Sequence, residues 1–142
     1  MKLAAIKLYD ALAPQVTVEP VALAHAAAIQ HLAADPRIAA TTRMPHPYPD
    51  DGAVTFVADA IQAWTAGTDR VFAICVDDAC VGTCALKQIR EGQAELGYWV
   101  GVPFWGQGYA SRAVRLVVAF GVERLGLRRI EAHVLEGNPA SA

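Results

Sequence analysis

Charge is scarce in this sequence. Charged residues make up 18% of 142, and 12 lysines and arginines nearly balance 14 aspartates and glutamates, for a net charge of −2. No stretch concentrates basic residues, so the footprint of a nucleic-acid surface is missing. Cysteine is equally sparse. Cys75, Cys80 and Cys84 form no CxxC pair and have no histidine at ligand spacing. They read as buried or half-buried thiols, with no metal and no disulfide framework expected. Long apolar runs are missing as well, although hydrophobic residues reach 54%. The longest candidate, Val21 to Ala34, is broken by His25, Gln30 and His31, and roughly 20 apolar residues are needed to cross a bilayer. Met1 to Leu8 carries Lys2 and Lys7, and its apolar stretch is too short for a signal-peptide core. The expectation is a cytoplasmic protein with no membrane and no nucleic-acid partner. A Walker lysine and a nucleophile elbow are also absent, which argues against nucleotide hydrolysis and against a serine hydrolase.

What is there is one globular domain, too short for two and without internal repeats. Val16 and Val18 alternate with polar neighbours, so Gln15–Glu19 is predicted as a strand. Pro20 suits the first turn of a helix that reaches about Ala34 and ends at Asp35-Pro36, with a second short helix over Pro36–Thr42. Met44 to Gly52 carries three prolines and is predicted as an extended loop. Asp50 or Asp51 can cap the following helix, in which Val54, Val57, Ala58, Ile61 and Trp64 recur at helical spacing before Gly67. Arg70–Val76, Cys80–Ile89 and Ala94–Val100 read as an antiparallel meander, hinged at Asp77-Asp78 and Gly92. A helix over Tyr109–Leu125 turns Ala113, Val114, Val117, Val118 and Gly121 inward, and Arg112, Arg115 and Glu123 outward. A final strand covers Arg128–Leu135, after which Asn138 and Pro139 have the form of a new helix start.

The chemically informative stretch runs from Glu95-Leu96-Gly97-Tyr98-Trp99-Val100 through Pro103-Phe104-Trp105-Gly106-Gln107-Gly108-Tyr109-Ala110-Ser111. It is a strand, a turn with two glycines, and a helix N-terminus. Glycines let backbone approach a ligand at positive φ, and the exposed N–H groups of a helix's first turn suit a phosphate. Taken alone, the glycines fit a packing turn as readily. The whole pattern, however, strongly resembles the pyrophosphate-binding motif of GNAT-superfamily acetyltransferases. Within them it is similar to the branch of the ribosomal-protein N-terminal acetyltransferases, in which a tryptophan commonly stands where Trp105 does and the broader superfamily has Arg or Gln. Met44-Pro45-His46-Pro47-Tyr48-Pro49 resembles that branch's loop between its first helices. Asn138-Pro139-Ala140-Ser141 resembles its Asn-x-x-Ser. The resemblance extends over residues 15 to 142.

The resemblance implies an α/β fold with a mixed, mostly antiparallel sheet flanked by helices. It implies an acetyl-CoA-dependent N-acetyltransferase acting on a primary amine, either a protein N-terminal α-amino group or a small molecule, with no metal. The strand of Glu95 would splay from that of Arg128, and the pantetheine arm would pair with backbone near Trp99, Val100 and Gly101. The N–H groups of Gly106, Gln107, Gly108, Tyr109 and Ala110 would hold the pyrophosphate between Trp105 and Ser111, and Asn138 would touch the cofactor arm. His46 and Tyr48 fall on the substrate side. Glu95 would act as base through a water, since it lies about 13 Å along the strand from Trp99. Ser141 would return a proton to the leaving thiolate. Both also have plain structural readings, as an exposed strand residue and a first-turn helix residue. His25 and His31 read as solvated helix residues, and His133 has no assigned role.

Relative to the family pattern, the last helix and a final β-hairpin are expected to be missing. That would leave the last strand a poorly covered edge. A shortened form, a disrupted gene or a partner subunit would each account for it, and homodimerisation through that edge is an open alternative. So is a non-catalytic acyl-CoA-binding or interaction module.

Overall fold

The computed structural model describes residues 7–10 and 13–132. Six strands form one sheet in sequence order: β1 (Leu8–Asp10), β2 (Ala13–Pro20), β3 (Arg70–Val76), β4 (Ala79–Arg90), β5 (Gln93–Val100) and β6 (Arg129–Ala132). The first four pairings are antiparallel and β5–β6 is parallel. That parallel step requires a crossover, supplied by α4 (Tyr109–Leu125). Between β2 and β3 lie α1 (Ala26–Ala33), α2 (Pro36–Thr41) and α3 (Gly52–Ala66). The mixed, mostly antiparallel sheet expected from the sequence is present.

The strands alternate their side chains between two cores. Val16, Val18, Phe72, Ile74, Cys84 and Leu86 pack with Ala113, Val117 and Phe120 of α4. Val71, Ala73, Cys75, Ala85 and Trp99 point the other way, onto Ile29 and Leu32 of α1 and Val57 of α3. Trp64, near the end of α3, reaches the α4 core. Its ring lies 5.3 Å from Phe72, which lies 5.3 Å from Phe120 in a second edge-on contact.

Several local expectations change. Pro20 does not open a helix: it is the last residue of β2 and pairs with Phe72, and the helix starts with a 3-10 turn at Leu23–His25. Leu8–Asp10 is an additional strand, too short to carry a periodic signal. On α3 the buried stripe is Ala53, Val57, Ala60 and Trp64, whereas Val54 and Ile61 are exposed. Both sets have helical spacing, and alanines carry half of the true stripe, so hydrophobicity favours the wrong face. Asp51 is the N-cap of α3 without a side-chain capping bond, and Gly67 ends the helix at φ 81°. The final strand is described only to Ala132, so the expectations for His133, for the rest of that strand, and for Asn138 and Ser141 lie outside the described residues.

Candidate active site

A cavity of about 850 Å³ opens on the α1–α3 side of the sheet. Its floor is the face of β4 and β5 that carries Thr83, Ala85, Lys87, Glu95, Gly97 and Trp99. Period-two alternation brings these residues together: Glu95 lies opposite Lys87, and Trp99 opposite Thr83. Its walls are α3, through Asp51, Thr55, Phe56 and Asp59, and the proline loop, through Met44, Pro45, Tyr48 and Pro49. The site is thus largely apolar, with the carboxylates of Asp51, Asp59 and Glu95 and the cations of Arg43 and Lys87 among its lining, the composition of a pocket for a small polar group.

The loop is held in place by Gln30 of α1. Its Nε2 donates to Pro49 O at 2.8 Å, and its Oε1 accepts from Ala53 N at 3.0 Å. Tyr48 is half-buried, and that burial pushes its phenol up. His46 is exposed and does not line the cavity.

Beyond β5 the chain turns through a 3-10 segment at Val102–Phe104 and enters α4. Trp105 fastens this turn, its Nε1 donating to Val100 O at 2.7 Å. Gly106 and Gly108 both adopt left-handed backbone, φ 77° and 78°, with no atom within 4 Å of where a Cβ would stand. The first N–H to close a turn of α4 is that of Arg112, onto Gly108 O. The N–H groups of Tyr109, Ala110 and Ser111 therefore precede the helical ladder. A glycine turn with open space before a 17-residue helix fits a pyrophosphate on stereochemical grounds.

Backbone pairing shows which donors at the end of β5 face which neighbour. Gly101 N–H is engaged, donating to Val81 O at 2.8 Å. By the alternation of an antiparallel ladder Trp99 N–H also faces β4, while those of Tyr98 and Val100 face the β6 side. There the described pairing ends at Leu96 with Ala132. Of the three residues expected to meet a cofactor arm, only Val100 offers its donor to that edge.

The cavity therefore brings together Glu95, Trp99 and Tyr48. The turn of Trp105 to Ser111 and His46 lie outside its lining. Lys87, Gln30 and Asp59 have no sequence motif; their only signal is an alternating or helical position, which becomes informative once the strand register and helix face are known.

A second cluster lies outside the cavity. His25 is not a solvated helix residue. Its Nδ1 accepts from Ala22 N at 2.9 Å, its Nε2 stands 3.3 Å from Glu19 Oε1, and Cys75 Sγ donates to the same oxygen at 3.5 Å. Proximity to Cys75 and to Glu19 raises the His25 pKa against the opposing effect of burial.

A family model described as Acetyltransferase (GNAT) domain matches residues 15–142. An "Uncharacterized N-acetyltransferase p20" from Bacillus licheniformis is 42% identical over 66 residues, covering 45% of this chain and 37% of that protein. The matched stretch thus spans little more than a third of that relative's length. Among solved structures, a "RimL- Ribosomal L7/L12 alpha-N-protein acetyltransferase" in complex with coenzyme A superposes with a TM-score of 0.80 at 19% identity, covering 89% of this chain and 75% of the other. "Mycobacterium smegmatis RimJ in complex with CoA-disulfide" superposes with a TM-score of 0.79 at 24% identity, covering 89% and 65%. At such identities these structures establish the shared fold. Among the described residues no helix is long and apolar enough to cross a membrane.

Proposed function

The chain belongs to the GNAT acetyltransferase domain family, and from that premise we propose that it transfers an acetyl group from acetyl-CoA to a primary amine. The observation that carries this reading is the succession of β5, glycine turn and α4 beside a cavity floored by the same strand. Gly106, Gln107, Gly108, Tyr109 and Ala110 hold the pyrophosphate through backbone N–H groups, flanked by Trp105 and Ser111. Val100 N–H meets the pantetheine arm at the edge of β5, and Asn138 contacts the same arm.

The acceptor enters the cavity between the proline loop and α3, past Tyr48, with His46 at the rim. An amine reacts only when neutral. An α-amino group with a pKa of about 7.8 is roughly one-third neutral near pH 7.5, whereas a lysine is neutral to only about 0.1%. An α-amino acceptor, protein or small molecule, therefore needs modest help, which suits a base acting through water. Glu95, on the cavity floor, takes that proton. The amine nitrogen then bonds to the thioester carbon, and as the C–S bond breaks Ser141 protonates the departing sulfur and is reprotonated by the second proton that the acylated nitrogen sheds. The two solved structures carry coenzyme A by their names, which supports the co-substrate.

Calorimetry with acetyl-CoA and ATP, followed by CoA release with amine peptides, tests the assignment. Acetyl-CoA is expected to bind and ATP not to. Gly108→Trp should abolish binding while leaving the circular dichroism intact. Glu95→Gln should retain binding and lose about 10²-fold or more in kcat. Unchanged affinity in Gly108→Trp would sink the phosphate turn, and acetyl-CoA binding without CoA release would favour a binding module.

A further inference from the structure

The β3–β4 hairpin carries two thiols that the acetyl-transfer chemistry does not use. Cys75 and Cys80 are cross-strand partners, one pair beyond Val76 and Ala79, which flank the two-residue turn Asp77-Asp78. Cys75 is buried against the α1–α3 core, and Cys80 is partly buried against the same cluster, so both side chains leave one face of the sheet. The hydrogen-bond phase decides how close they come. Asp77 N–H donates to Gln15 O on β2, so the N–H of Cys75, two residues earlier, also faces β2. The register shifts between Ile74 and Cys75, so the Cys75–Cys80 pair sits on the turn side of that irregularity and is a non-hydrogen-bonded one, the narrow kind whose Cα atoms stand about 4.5 Å apart in a regular ladder. A disulfide accepts roughly 4.4–6.8 Å.

Their surroundings supply a proton acceptor. Cys75 Sγ donates to Glu19 Oε1 at 3.5 Å, and that carboxylate is backed by His25 Nε2 at 3.3 Å. Donor atoms of Glu19, His25 and Cys75 lie within 4.8 Å of one another, a spacing that could also hold a metal ion. The tautomer argues otherwise. Nδ1 accepts from Ala22 N–H, which leaves the proton of a neutral ring on Nε2, the nitrogen a metal would need. The contact with Cys75 pulls the Cys80 thiol down from its ordinary value, and the same contact pushes Cys75 up. Cys84, buried on the opposite face, is pushed up to about 12 by desolvation.

We propose that Cys75 and Cys80 form a dithiol site oxidised by hydroperoxides to an intrachain disulfide, with Cys80 as the attacking thiolate. The Cys80 sulfur attacks the terminal peroxide oxygen, the O–O bond breaks, and the departing alkoxide or hydroxide takes up the proton that Cys80 released. Cys75 gives its proton to Glu19 and attacks the resulting sulfenic sulfur. The S–S bond forms, the S–O bond breaks, and hydroxide leaves as water with the proton from Glu19. In sum, two thiols and one hydroperoxide give one disulfide, one alcohol or water, and one water.

The site shares no residue with the acetyl-transfer machinery, so its test is independent of that assignment. The chain is treated with hydrogen peroxide, and thiols are then counted in denaturant. The three free cysteines are expected to fall to one. After free thiols are alkylated, cleavage at Asp77-Asp78 and fragmentation mass spectrometry without reductant should show Cys75 joined to Cys80 and the alkyl label on Cys84. Cys80→Ser should lose the rapid thiol consumption. Cys75→Ser should keep it and yield a dimedone adduct at Cys80. Three thiols surviving excess peroxide, Cys84 reacting as fast as Cys80, or disulfides running between chains would each overturn the proposal. The wild-type peptide map decides the matter even if a variant fails to fold.

Discussion

Gly82 shows how one residue fixes the floor of the cavity. A Cβ built on it would stand 2.1 Å from Trp99 O and 2.9 Å from Val100 Cα, both backbone atoms of β5. No rotamer change can relieve that contact, so β4 and β5 would have to move apart. Gly82→Ala is expected to cost about 3 kcal/mol, at the upper end for overpacking, measured by urea denaturation. The displacement falls next to Trp99, so the variant's residual fold should also bind acetyl-CoA more weakly. Gly106 and Gly108 differ in kind. Open space surrounds them, and what they supply is left-handed backbone. Their role was visible as a motif, whereas that of Gly82 depends on a neighbouring strand and was not.

At the scale of elements, α1 and the proline loop act as one unit because Gln30 links them. A loop with prolines at 45, 47 and 49 has few backbone donors of its own, so side-chain bonds from α1 set its position. Gln30→Ala removes both bonds, to Pro49 O and from Ala53 N. The expected loss is about 1–2 kcal/mol in a thermal melt. On the proposed reading, in which the loop walls the acceptor side away from the reacting atoms, steady-state kinetics should show KM for the amine rising severalfold with kcat little changed.

For the molecule as a whole, the two helical layers are coupled through aromatic contacts that run from α3 to α4. Trp64, Phe72 and Phe120 form a chain of edge-on and tilted rings, with the Arg70 guanidinium 5.1 Å from the Trp64 centroid. Phe120→Ala leaves a cavity between α4 and the sheet and should cost about 3–5 kcal/mol, read as a shift in denaturant midpoint. Loss of α4 docking also frees the helix N-terminus after Gly108, so acetyl-CoA binding should fall with stability. Phe120 escaped the sequence reading because the inward stripe was drawn through Val114 and Val118, which the structure only half-buries.

The sequence by itself determined the local chemistry: the meander, the two-residue turn at Asp77-Asp78, the glycine turn into α4, and Glu95 as a strand carboxylate. Each depends on neighbours within a few residues, where periodicity and turn stereochemistry operate. The tertiary structure alone decided which strands pair across long separations, and hence which side chains meet. Lys87 joins Glu95 through strand register, Gln30 meets Ala53 through helix packing, and His25 reaches Glu19 and Cys75 because β2 lies beside β3. These contacts have no fixed spacing in the chain, since they are set by hydrogen-bond register and by burial, which only the folded sheet defines.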